Sequence, residues 1–321
     1  MRVWESRTPP NILSLRGARF IRVPLRAFCV TVRCVADVAR HDDLAQFWAL
    51  TRDLFTADPV FHTIPIAAVR RRIEHPHPTD EPPILVTVSE AGAVVAAAVR
   101  TPPWALALSG VPVDWVDTVA EHLVDVELPG VNGPRAAAEA FVRAWTARTG
   151  QGAREATALR LFRLAELEPP VGVPGASRLA TEDDADLLVQ WYLGFVDEST
   201  PYEPNEDQAV TFVRGTLAAG SGHVLWLDEG RPVAWAAAGA PAVGMSRIGP
   251  VYTPKEHRRN GYGAAATSAC ARWALEAGAE HVVLFTDLAN PTSNSIYQRI
   301  GFRPVCDAAE FVFTQAGAGT D

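Results

Sequence analysis

The chain has 321 residues, 48% of them hydrophobic, and a formal net charge of −8 at pH 7. That is core enough for two ordinary domains and a poor surface for nucleic acid or anionic membrane, which need a basic face; an amine-bearing partner suits the charge better. No apolar run reaches bilayer-spanning length, and Cys29, Cys34, Cys270 and Cys306 lack both metal-ligand and disulfide-framework spacing, which reads as reduced thiols in a cytoplasmic protein with no metal.

In chain order, Arg16, Arg19, Arg22 and Arg26 break the apolar centre that a signal peptide would need, so residues 1–28 read as a disordered extension or an upstream start. The stretch TVRCVADVARHDDLAQFWALTRDLF then gives a strand and a helix, with Asp42 and Asp43 at the helix mouth. ILVTVSEAGAVVAAAVRTPPWALALS alternates as a hairpin around Glu90-Ala91-Gly92 and adds a third strand. GVPVDWVDTVAEHLV follows, without arginine, lysine or a G-x-G; LPGVNGPRAAAEAFVRAWTARTG and TALRLFRL complete a strand, helix, strand close. Prolines and glycines crowd residues 169–175, the expected linker between a first half at 29–168 and a second at 176–321.

The second half opens on the strand SRLAT, and Thr181 followed by Glu182, Asp183 and Asp184 reads as a helix cap with acids in the first turn. A helix over DDADLLVQWYLGFVDE, a second over EDQAVTFVRGTLAAG closed by Gly220, and a hairpin around Asp228-Glu229-Gly230 come next. The strand SRIGPVYT carries Pro250 in its interior, the mark of a bulge or an edge. An alanine-rich helix precedes the continuous apolar strand HVVLFTDL. NPTSNSIYQRIG is a short helix with Asn290 at its cap, Pro291 at its first position and Gly301 past its end; FRPVCDAAEFVFT reads as two short strands.

Between SRIGPVYT and the alanine-rich helix lies RRNGYG, Arg258 to Gly263. A helix N-terminus presents unpaired N–H groups and a positive dipole end, so it binds anions where the backbone can be approached. Gly261 and Gly263 remove blocking side chains, and Arg258, Arg259 and the amides from Asn260 through Tyr262 to Ala264 would cradle a pyrophosphate. A tight turn, with the glycines there for geometry alone, is the plain alternative.

RRNGYG resembles the R/Q-x-x-G-x-G/A acyl-CoA loop of the GNAT acyltransferases (GCN5-related N-acetyltransferases), and Asn290, Tyr297 and the Gly301-Phe302 exit resemble that family's second signature at the right separation. The resemblance implies an α/β fold with a mixed sheet and acetyl-CoA as cosubstrate. The amides near Val251, Tyr252 and Thr253 would hold pantetheine and the thioester carbonyl in a gap between two splayed strands. Asn290, with Ser293 and Asn294, would reach the pantetheine from the other side, and Tyr297 would be the general acid for the leaving thiolate. Tyr297 shares a helix face with Ser293 and Asn294, apart from the ridge of Ile296 and Ile300; packing between helix and sheet is the alternative reading. The attacking ammonium must lose a proton, and the candidate bases are Glu198 and Glu203 beside the loop between the first two helices, then Glu310. Trp191, Trp226 and Trp235 would line an acceptor pocket or pack in the core.

The first half repeats the strand, helix and hairpin order, with Val111, Pro112, Val113 and Asp114 where the basic loop should stand. It reads as a degenerate copy, making two GNAT-like domains in tandem, each a mostly antiparallel sheet flanked by helices. The expected activity is acyl-CoA-dependent N-acetyl transfer to a small-molecule amine in a ternary complex, by a monomer or homodimer. The alternatives are a protein similar to the mycothiol synthases, which are tandem acetyltransferases, and a non-catalytic sensor of acyl-CoA.

Overall fold

The computed structural model describes residues 37–76, 78 and 80–315; the reading of residues 1–28, and those of Cys29 and Cys34, fall outside them. The first half runs β1 (Asp37–His41), α1 (Leu44–Ala57), α2 (Thr63–Glu74), β2 (Ile84–Glu90), β3 (Ala93–Arg100) and β4 (Leu106–Ser109), then α3 (Val113–Glu121), β5 (Gly130–Pro134), α4 (Arg135–Thr149) and β6 (Gly152–Leu164). The second half runs β7 (Ala176–Leu179), α5 (Ala185–Ser199), α6 (Glu206–Ala218), β8 (Gly222–Asp228) and β9 (Arg231–Ala238). It continues with β10 (Met245–Tyr252), α7 (Tyr262–Glu276), β11 (His281–Asp287), α8 (Pro291–Arg299) and β12 (Phe302–Thr314).

Local chemistry sets most of these limits. Asp43 accepts the N–H of Gln46 at 2.7 Å to open α1, Asn205 accepts that of Gln208 at 2.9 Å to open α6, and Asn290 accepts that of Ser293 at 3.0 Å to open α8. Asp184 accepts the N–H of Thr181 at 2.9 Å at the turn leading into α5. Two elements depart from expectation. α2 is an additional helix in the first half, and FRPVCDAAEFVFT is one long strand, β12, with irregular register at Pro304/Cys306 and at Glu310/Phe311.

All strands join one mixed, mostly antiparallel sheet in the order β1-β2-β3-β4-β5-β12-β6-β11-β10-β9-β8-β7. The halves trade their last strands: β6 pairs with β11 of the second half, and β12 pairs with β5 of the first. β6 and β12 then run antiparallel to each other over nearly their whole length, so residues 169–175 separate two stretches of chain rather than two sheets. One face of the sheet carries α1, α2, α5 and α6 and the other carries α3, α4, α7 and α8. The first half's α2 even reaches the second half's strands, Thr63 placing its hydroxyl 3.0 Å from the sulfur of Met245. On the opposite face α7 lies close because alanine meets alanine: Ala264, Ala266 and Ala271 pack with Ala234, Ala236 and Ala238 of β9.

His223 of β8 is buried beneath α6, stacked on Trp235 at 5.7 Å between centroids and 3.0 Å from the Thr216 hydroxyl. Burial lowers its pKa from 6.5 to about 4. The folded chain therefore keeps this ring neutral while the unfolded chain protonates it, so stability contributed by the neutral ring falls from pH 6.5 down to about 4 and changes no further below that. Urea unfolding at pH 7 and pH 5 should differ by about 2 kcal/mol through this residue, at ~1.4 kcal/mol per pH step. That difference should shrink in His223→Gln; an unchanged difference would mean that other groups set the acid limb.

Candidate functional site

β10 and β11 are parallel neighbours only from Met245 to Ile248, opposite His281 to Leu284. A bulge between Ile248 and Val251, at Pro250, then interrupts the register of β10 on β9. It reverses the facing pattern, so that Val251 packs toward α7 and Tyr252 toward α5. Past this point β10 and β11 part. Val251 and Tyr252 keep partners on β9, Phe285 to Asp287 keep partners on β6, and neither set pairs with the other. The facing edges leave a gap with backbone N–H and C=O groups along its sides.

The loop after β10 bends through Lys255–His257 and enters α7 at Gly261, whose φ of +83° lies in the left-handed region. No side chain caps α7 among the described residues, unlike α1, α6 and α8. The amides of Tyr262, Gly263 and Ala264 are thus left for another acceptor, where the sequence places the anion cradle. The two arginines differ. Arg258 is exposed but engaged, its Nε donating to the Thr253 carbonyl at 2.9 Å and its Nη2 to Glu198 at 2.6 Å. Arg259, at φ +67°, is exposed and has no partner among the described residues. Asn260 spends its amide on the carbonyl of His257 at 3.2 Å. Tyr262 offers the site only its backbone, because its ring is buried and its hydroxyl donates to Asp228.

Across the gap, Asn290 caps α8 with its side-chain oxygen and leaves its amide nitrogen without a partner among the described residues. Asn294 ties α8 to the end of β11, its Nδ2 donating to the carbonyls of Asp287 at 2.9 Å and Asn290 at 2.8 Å. Ser293 stands half-buried beside it. Tyr297 lies one turn on, edge-to-face with Phe302 at 6.3 Å. Its hydroxyl has no partner among the described residues, and burial pushes its pKa up to about 12, which keeps it protonated.

Of the proposed bases, Glu198 is at the site but engaged: besides Arg258 it faces Lys255 Nζ at 3.9 Å and accepts from the Tyr252 hydroxyl at 3.4 Å. Glu203 is exposed at the rim of a cavity by the α5–α6 turn, with no hydrogen bond to Tyr297 or Asn290. Glu310, on β12, accepts from the Tyr202 hydroxyl; burial raises its pKa while that bond opposes the rise. Trp191 stands beside the site, 6.3 Å from Tyr252, whereas Trp226 donates to Pro174 at 2.9 Å and Trp235 is core. The sequence reading passed over Gly194 of α5, where a Cβ would stand 2.6 Å from the Tyr252 hydroxyl oxygen. Its signal was a glycine inside an amphipathic helix, a choice that costs about 1 kcal/mol relative to alanine and so points to close packing.

The corresponding place in the first half is different. α3 follows Pro112 with Asp114 in its first turn, Val113 is exposed, and the Trp115 indole is held by Glu90 at 2.6 Å. A carboxylate at that helix mouth repels phosphate.

Residues 186–302, within the second half, match the acetyltransferase (GNAT) family. Solved structures of similar fold include a tandem GNAT protein from the clavulanic acid biosynthesis pathway, 13% identical over 89% of this chain and 100% of its own, with a TM-score of 0.55. A GNAT-family acetyltransferase from Colwellia psychrerythraea is 9% identical over 87% of this chain and 100% of its own, TM-score 0.54. A Drosophila protein is 12% identical over 88% and 99%, TM-score 0.61. No curated protein matches the chain in sequence. Among the described residues no cluster of side chains could hold a metal ion, and no helix is long and apolar enough to cross a membrane.

Proposed function

We propose that the protein transfers an acetyl group from acetyl-CoA to a small amine by direct attack within a ternary complex, and that its second half alone holds the CoA. The observation that carries this reading is the parting of β10 from β11 beside a glycine-led α7 that no side chain caps, with the Asn290 amide nitrogen and the Tyr297 hydroxyl on the helix after β11 both without a partner among the described residues. Arg258 fixes the loop through Glu198, and Arg259 supplies the mobile cation for phosphate. The amides of Val251 in β10 and of Thr253 just past its end hold the pantetheine and polarise the thioester carbonyl. As the neutral amine's nitrogen bonds to the carbonyl carbon and the C–S bond breaks, Tyr297 gives its proton to the departing thiolate, and the proton shed by the nitrogen passes to solvent water, which restores the Tyr297 hydroxyl. Glu198, neutralised by two cations, is better placed to position Arg258 than to take a proton.

Calorimetric titration with acetyl-CoA should give one site per chain. Tyr297→Phe should bind acetyl-CoA within twofold of the parent yet transfer acetyl about a hundredfold more slowly, the usual worth of a positioned acid. Equal turnover would make Tyr297 a packing residue. Tight CoA binding with no transfer to any of a broad set of amines would favour the sensor.

A further inference from the structure

The cavity by the α5–α6 turn carries information about the acceptor. Tyr192 and Phe195 of α5 and Tyr202 of the turn wall it, and the first half contributes Trp104, edge-on to Tyr202 at 5.3 Å. Its volume is about 170 Å³, close to the ~150 Å³ of an apolar protein cavity that takes up benzene. One ring-sized group fills it. The Tyr192 hydroxyl has no partner among the described residues although the residue is only 8% exposed, and burial pushes its pKa up to about 12, so it stands as a neutral hydrogen-bonding group on the wall. Glu203 lies at the rim, Glu206 and Asp207 follow in the first turn of α6, and neither lysine nor arginine lines the space. Aromatic walls with a carboxylate at the rim favour a cation with an apolar body.

Its position relative to the thioester gap follows from the register. Tyr202 donates to Glu310 of β12, which is opposite Thr157 of β6; the next residue, Ala158, accepts the N–H of Leu288 just past the end of β11. The cavity wall therefore stands beyond the splayed end of the β10–β11 pair, on the α5–α6 face, two strand spacings or about 10 Å from β11. An elongated small molecule bridges that distance.

We infer that this cavity binds the non-reacting end of the acceptor, and that the acceptor is a small primary amine bearing an aromatic or similarly compact apolar group, with Trp104 and Phe195 setting the preference. This rests on the N-acetyltransferase reading above. The test is calorimetric titration of the full chain, saturated with CoA, with 2-phenylethylamine and with butane-1,4-diamine. The ring-bearing amine should bind at least tenfold more tightly. Trp104→Ala should weaken it at least tenfold and Trp104→Phe less than threefold, while acetyl-CoA binding stays within twofold in both; Trp104 is 41% exposed, so its loss leaves the core intact. Equal binding of the two amines, or no effect of Trp104→Ala, would overturn the assignment. If acetyl-CoA itself does not bind, the transferase reading fails instead, and titration of 2-phenylethylamine into the free chain and its Trp104→Ala variant still decides whether the cavity takes a ring.

Discussion

Gly261→Val is expected to abolish CoA binding and leave the rest of the molecule folded. Two features of the position combine. Its φ of +83° is strained for any L side chain, by roughly 1–2 kcal/mol and more for a β-branched one. A Cβ there would also stand 2.9 Å from a methyl of Val173, in the segment that joins β6 to β7. Relief of both requires the loop to move, and with it the first amides of α7 that are to face the pyrophosphate. Calorimetry should show at least a hundredfold weaker binding while the far-ultraviolet circular dichroism is unchanged; unaltered affinity would remove this loop from the CoA site. Arg258→Ala should weaken binding only severalfold, because its guanidinium is committed to Thr253 and Glu198 and the amide donors remain.

What the sequence disclosed was governed by local chemistry. The Asn290-Pro291 start of α8, the two hairpin turns and the disturbance at Pro250 each depend on residues within a few positions of the feature itself. α2 escaped because its pattern is confused by Arg70, Arg71 and Arg72, and only the fold shows Arg72 buried, donating to the carbonyls of Glu81 and Pro102. FRPVCDAAEFVFT reads as two strands, yet β12 runs unbroken through Pro304. The proline is tolerated because β5 pairs only with Ala308 to Val312, so that side of β12 is an open edge where Pro304 sits. Of the candidate site, the loop and the Asn290–Tyr297 helix were legible as motifs, but the pairing of Glu198 with Arg258 joins residues sixty apart and left no local trace. The exchange of β6 and β12 was equally hidden, since alternation marks a strand without naming its partner.

That exchange decides what the second half can do without the first. A fragment of residues 172–321 lacks β6, so β11 loses the partners of Val283 to Asp287 and β12 loses its longest ladder. The N–H and C=O groups so exposed lie at the middle of the sheet, and no residue of the fragment can pair them in place. We expect this fragment to be aggregated or unfolded, without cooperative melting and without CoA binding. Residues 150–321 restore β6 and give the continuous order β12-β6-β11-β10-β9-β8-β7, a sheet with every second-half strand paired. This longer fragment should melt cooperatively and bind one CoA, at a lower temperature midpoint than the whole chain because Phe313, stacked on Trp145 of α4 at 5.7 Å, loses its cover. A peptide of residues 150–168 added to the shorter fragment should recover part of that binding by supplying the missing strand. Cooperative melting and parent-like CoA affinity in residues 172–321 alone would show that β6 is dispensable to the second half.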